Sequence, residues 1–145
     1  CIFDVLEHIF DDAQALEKIN IILNKKGIIV LTVPSHQWLW NFSDETSGHK
    51  RRYNRKNAIK KLKSAGFDIV TARYFFMSIV PFLLLRKLLT ISSNSEIRLK
   101  TKRGDLSINP LFNRILLFIS RLENRYNQFL PNYFGGSLLI IARKK

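Results

Sequence analysis

The sequence predicts an α/β fold, with helices packed on a layered sheet. Two observations carry that prediction. Short β-branched runs alternate with stretches of helical periodicity, in the order strand, helix, strand, loop, helix, strand, helix, helix, strand. Such alternation is the pattern of a layered α/β sheet. The run Ile28 to Pro34, IIVLTVP, is apolar at both alternating sets of positions, as expected of a strand covered on both faces of a parallel sheet. Right-handed crossovers then bring the loops that follow the strands to one edge. Ligands of such sheets bind at that edge, outside the carboxyl ends of the strands.

Taken in order, Ile2 to Leu6 reads as the end of a strand. Asp11 or Asp12 can cap the next helix, where acidic groups also suit the helix dipole. Ala13, Leu16, Ile19, Ile22 and Leu23 follow at helical spacing. Gly27, after Lys25 and Lys26, has the place of a C-terminal glycine. Ile28 to Pro34 is the next strand. Residues 35–53 then form a polar-aromatic connection, and a connection that long is usually functional or disordered. Trp38, Trp40 and Phe42 argue against disorder. Asn54 caps a helix with Ala58, Ile59 and Leu62 inside, Ala65-Gly66 closes it, and Phe67 to Phe76 is a third strand. Met77 to Leu89 is nearly all apolar and contains Pro81. It falls short of the about 20 residues that span a bilayer, so a buried or interfacial helix is expected, with Arg86 and Lys87 at its polar end. Residues 92–110 are polar and basic and read as a mobile loop. Leu111, Ile115, Phe118, Ile119 and Leu122 restore helical periodicity, 131–136 turns, and Ser137 onward is the last strand.

A chain of 145 residues is long enough for one domain with its own core. Its single cysteine excludes an internal disulfide framework and a multi-cysteine metal site. The net charge of +13 is unevenly placed: five acidic and no basic groups lie in residues 1–17, eight basic and no acidic groups in residues 50–63. That balance favours anionic partners, or it is a solvated helix face.

DVLEHI at residues 4–9, LNKKGIIVLTVP at 23–34, GHKRRYN at 48–54 and LKSAGF at 62–67 occur in that order. With Gly135-Gly136-Ser137 and the strand after them, they resemble the C-terminal half of class I S-adenosylmethionine-dependent methyltransferases of the type 11 and 12 kind. Leu23-Asn24-Lys25-Lys26-Gly27 stands where that family has Leu-Lys-Pro-Gly-Gly. The resemblance covers most of 1–75 and, loosely, 131–145; 76–130 looks like a helical insertion. It implies the C-terminal half of a Rossmann-like methyltransferase sheet, strands four to seven, the last antiparallel. It also implies that residues 1–145 are the C-terminal part of a methyltransferase domain. The strand one to three part, with the glycine-rich cofactor loop, would then precede Cys1, and the piece would be inactive alone. These residues carry no such loop, since Gly135-Gly136 precedes a strand rather than a helix.

The same resemblance places Asp4, Val5, Leu6 and Glu7 at the S-adenosylmethionine pocket, with Asp4 facing the methionine part or the sulfonium. His8 and His49 are the candidate catalytic residues, because a near-neutral imidazole can take a substrate proton; the alternative for His8 is packing against the helix. Trp38 and Trp40 can wall a substrate pocket or tuck their loop onto the core. Arg51, Arg52 and Tyr53 are candidate substrate contacts. Arginine offers a planar fork for carboxylate or phosphate, so one of the two can bind an anion while the other pairs with Asp44 or Glu45 to pin the loop. Asp4, Glu7, Asp44, Glu45 and His49 are too scattered to signal a metal, and no metal is expected.

These residues leave three functions open. The first is methyl transfer from S-adenosylmethionine to a small-molecule, lipid-linked or saccharide-like acceptor, in the cytoplasm, with peripheral contact at the inner membrane surface through 77–89. The second is a nucleic-acid-binding module, disfavoured because the basic residues lack interleaved aromatics and no binding signature is present. The third is a non-catalytic partner of the same fold.

Overall fold

β-Branched residues crowd a helix but fit a pleated, half-buried surface, and the runs rich in them become strands. The computed structural model describes residues 1–92, 110–126, 129 and 132–145. In it four strands, β1 (Ile2–Phe3), β2 (Ile28–Pro34), β3 (Phe67–Phe75) and β4 (Ser137–Lys144), form one sheet. Their spatial order is β1-β2-β4-β3. β1 and β2 are parallel, with Ile2 opposite Leu31. β4 runs antiparallel to both neighbours, with Ile140 opposite Leu31 of β2 and Ala72 of β3. A bulge at Ile69–Thr71 shifts the register of β3. This mixed sheet, with an antiparallel last strand between the second and third, is the expected end of a Rossmann-like methyltransferase sheet.

Helices lie between the strands. α1 (Asp12–Ile22) begins at Asp11, whose side chain accepts the backbone N–H of Gln14 at 2.9 Å. That bond satisfies one of the orphan amides of the first turn. A short helix, α2 (Phe42–Thr46), breaks the long connection. α3 (Arg55–Ser64) is capped by Asn54 and closed by Gly66, whose φ of 86° suits glycine. α4 (Val80–Ser92) carries Pro81 in its first turn, where a missing N–H costs nothing. α5 (Pro110–Tyr126) follows.

Leu16 of α1 and Ala58 and Leu62 of α3 pack on Ile29, Leu31 and Val33 of β2 and Leu138, Ile140 and Ala142 of β4. Fully burying one such leucine stabilises the fold by about 1.5–3 kcal/mol.

Four expectations are corrected. The first strand is shorter than expected: it ends at Phe3, which is 56% exposed, and Leu6–His8 is a tight 3-10 turn. β2 is not covered on both faces: Val30 and Thr32 are only half-buried and Ile28 is 52% exposed. The buried stripe of α1 runs through Ala15, Leu16, Ile19 and Leu23, whereas Ala13 and Ile22 face solvent. Gly27 is not the helix cap: α1 ends at Ile22, and Lys26 takes the positive φ of 62°. Gly27 is needed for space, since a Cβ there would lie 2.8 Å from the Asn24 carbonyl oxygen. The mobile loop expected over 92–110 falls, at 93–109, outside the described residues.

Candidate active site

The carboxyl ends of β1 and β2 and the start of β4 meet at one edge of the sheet, as the crossover argument requires. They surround a cleft of about 360 Å³, lined by Asp4, Glu7, Pro34, His49, Arg52 and Ser137 among others. Asp4 leaves β1 with a positive φ of 49°; its backbone N–H donates to the Thr32 carbonyl at 3.1 Å and its Oδ1 accepts from the Thr32 hydroxyl at 3.2 Å. The chain then tightens into the 3-10 turn. That turn exposes Val5 and His8, sends Leu6 into the core at 4% exposure, and buries Glu7 completely at 0%. Neither carboxylate oxygen of Glu7 has a hydrogen-bond partner among the described residues. Burial pushes the Glu7 carboxyl above the ordinary carboxylate range. Its own backbone amide offsets part of this, although that contact falls short of hydrogen-bond geometry.

The long connection closes over Glu7 from the other side. Asn41 and Asp44 form a capping box at the start of α2, which fixes Asp44 beneath the loop. Asp44 is fully buried and accepts from Arg52 Nε and Nη2, both at 2.9 Å, and from His49 Nδ1 at 2.8 Å. Burial opposes its ionisation, but the hydrogen bonds from Arg52, the Asn41 amide and His49 outweigh that, so its pKa is lowered. His49 thereby turns Nε2 toward Glu7, 3.9 Å from Oε1. The Lys50 amide donates to the Glu7 carbonyl at 2.8 Å and locks the register of the loop. The His8 ring stands edge-on to His49, with centroids 4.8 Å apart and planes at 76°.

The remaining candidates divide. Arg52 pins the loop through Asp44, as one arginine of the pair was expected to do. Arg51 does not reach the cleft: it pairs with Asp12 at 2.8 Å and donates to the Phe10 carbonyl at 2.6 Å. Tyr53 is buried, and its hydroxyl donates to Asp12 at 2.7 Å. Both are therefore tied to the start of α1. Trp38 is 49% exposed and Trp40 half-buried, with its indole N–H 3.5 Å from Glu45. Neither tryptophan lines the cleft.

Three residues escaped sequence reasoning. Asp12 gathers Arg51, Tyr53 and Lys61, and nothing local signals this. Ser35 donates its hydroxyl to the Gly135 carbonyl, joining β2 to the turn before β4. His36, at φ 56°, stacks on Tyr74 at 4.7 Å. A positive φ beside a strand end is invisible in composition.

No family model matches the chain, and no curated protein matches it. Solved structures do. A Bacillus halodurans C-125 protein assigned as a methyltransferase aligns over 99% of this chain and 68% of its own, at TM-score 0.54 and 17% identity. The 4+2 cyclase SpnF aligns over 99% of this chain and 47% of its own, at TM-score 0.51 and 15% identity. A Galdieria sulphuraria protein assigned as a sarcosine dimethylglycine methyltransferase aligns over 99% and 51%, at TM-score 0.50 and 12% identity. The chain thus spans about half the length of two of these structures and two thirds of the other. At such identities the likeness is one of fold.

Proposed function

We propose that this chain supplies one wall of the cofactor pocket, and most of the acceptor side, of an S-adenosylmethionine-dependent methyltransferase. The observation that carries the reading is the edge where β1 and β2 end: two carboxylates, Asp4 and Glu7, line a cleft at the site where sheets of this class take ligands. Of the three similar solved structures described above, two are assigned to methyl transfer. The third is a cyclase, and fold alone never fixes chemistry.

The cofactor fits what is present. Its sulfonium and ammonium are cationic, and the acidic strand end offers Asp4 at the mouth with the exposed apolar surface of Val5 beside it. The bound cofactor brings an already activated methyl group, so the chain's work is to align the attacking atom and handle its proton. Asp44 holds His49 through Nδ1, which directs Nε2 into the cluster with Glu7 and His8. Proton removal from the acceptor belongs to His49 or His8. Arg52, locked on Asp44, holds the cleft rim in place.

The acceptor class is a lipid-linked or saccharide-like molecule, met at a membrane surface. Leu84, Leu85 and Leu88 of α4 are exposed, as are Leu111, Ile115, Phe118 and Leu122, which share one face of α5. Arg114, Arg121 and Arg125 flank that face, the pattern of a helix lying in a lipid interface. Among the described residues no helix is long and apolar enough to cross a membrane. Flotation with anionic vesicles tests this part: the full gene product should float, and the Phe118→Glu variant should not.

The methyl-transfer reading is tested by calorimetric titration of S-adenosylmethionine into this chain and into the full product of its gene. Binding by the full product supports it. Absence of binding in both moves the reading to a non-catalytic partner of the same fold. Salt-sensitive binding to RNA or DNA would instead support a nucleic-acid module.

A further inference from the structure

The hydrogen bonds of the fold account for Asp44 and Arg52 but not for Glu7. A carboxylate at 0% exposure, with both oxygens unpartnered among the described residues, is costly unless something cationic meets it. What faces it is the His49 ring, beyond hydrogen-bond distance. Asp44 is acceptor-only and held ionised by Arg52, so its 2.8 Å contact to His49 places the ring proton on Nδ1. The other ring nitrogen, Nε2, faces Glu7 Oε1 at 3.9 Å. Two potential metal-ligand atoms face each other across a gap too wide for a hydrogen bond.

That gap suits an ion. Zinc bonds to histidine nitrogen and carboxylate oxygen are about 2.0–2.2 Å, and tetrahedral geometry sets two such donors about 3.4 Å apart. A third donor stands beside them: one ligand atom each from Glu7, His8 and His49 lies within 4.8 Å of the others. His8 is exposed, so its ring can rotate to close the remaining distance. Asp44 behind His49 completes the carboxylate–histidine arrangement that orients metal-bound imidazoles. We propose that Glu7, His8 and His49 form a binding site for a divalent transition-metal ion of the zinc and cobalt class, with Asp44 positioning His49 as a ligand. Two imidazoles and one carboxylate select such ions over magnesium and calcium, which prefer all-oxygen sets. Three protein ligands also leave coordination open on the cleft side.

The proposed site runs against the sequence expectation of no metal; its residues, far apart in the chain, converge only when the 48–50 segment docks on the 3-10 turn. It deepens the methyl-transfer reading and rests on it only for its use there: with an ion bound, His8 and His49 would serve as ligands in place of the base role given them above, and the ion would acidify an acceptor hydroxyl bound to it, whose proton passes to solvent water.

The test is titration of tag-free, chelator-stripped full-length gene product with Co(II), followed by its visible absorption, with Zn(II) as competitor. One saturable Co(II) per chain, displaced by Zn(II), is expected. His8→Ala and Glu7→Gln should each weaken binding by about tenfold or more, while Asp68→Asn, at an exposed carboxylate remote from the cleft, should not. His8 is exposed, so its substitution leaves the core intact, and circular dichroism verifies that fold in each variant. Absence of saturable binding, or equal affinity in folded His8→Ala and wild type, overturns the site. Metal binding without S-adenosylmethionine binding would keep the site and remove the methyl-transfer reading; the opposite pair of results would do the reverse.

Discussion

The Tyr53 hydroxyl donates a 2.7 Å hydrogen bond to the carboxylate of Asp12, joining the end of the long loop to the first turn of α1. Both residues are buried. Tyr53→Phe removes that bond and keeps the ring in the core. Because the acceptor is charged, the expected loss is about 1.5–3 kcal/mol, read as a lower urea midpoint. Cofactor affinity should not change, since the hydroxyl lies among the helices rather than in the cleft.

Asp12 also makes stability depend on pH. Burial opposes its ionisation, but hydrogen bonds from Lys61, Tyr53 and Arg51 outweigh burial and lower its pKa from 3.8. A carboxyl depressed on folding contributes stability that is fully present above the unfolded value and is lost as pH falls through the folded one. Asp12→Asn should therefore cost stability at pH 6 and progressively less as pH drops below 3.8. Denaturation curves across that range, for both proteins, give the comparison; parallel curves would contradict it.

Arg52→Lys keeps the charge but not the two-pronged bond to Asp44. An ammonium cannot reproduce the fork. Since both side chains are nearly buried, a loss of about 1.5–3 kcal/mol is expected. Faster amide exchange at Asp44 to Lys50 should accompany it, while β4 stays protected.

Gly135→Ala should be among the more damaging small substitutions. A Cβ there would stand 2.4 Å from the Phe75 carbonyl oxygen and 2.9 Å from its nitrogen. Backbone atoms cannot swing away as a side chain can, so a loss of about 1–3 kcal/mol is expected. Gly136→Ala meets nothing nearer than 3.4 Å and should be milder. Thermal midpoints of the two variants rank them.

These residues also mark what a sequence discloses. Asp11 and Asn54 were readable as caps because capping is local chemistry: a side-chain oxygen and an amide two or three residues on. Arg52 was readable as a loop pin because Asp44 lies nearby in the chain. Arg51 was not, because its partner Asp12 comes close only after α1 and α3 pack side by side. The Glu7–His49 confrontation was hidden for the same reason. The open face of β2 was hidden differently, since alternation reports which residues are apolar, not what lies above them.

The central position of β4 has a consequence for how the protein is made. Chain order and space disagree here: the strand synthesised last of the four sits between β2 and β3. During translation β3 emerges with no neighbour to pair with, and a nascent chain presents two open strand edges until residues 137–144 clear the ribosome. Those are the edges at which misassembly begins. The cleft matures on the same schedule, because Ser35 and its loop are anchored to Gly135 and Gly136. Ligand competence should thus be acquired abruptly once β4 has emerged, and a ribosome stalled before Gly135 should hold a chain that chaperones recognise and ligand does not.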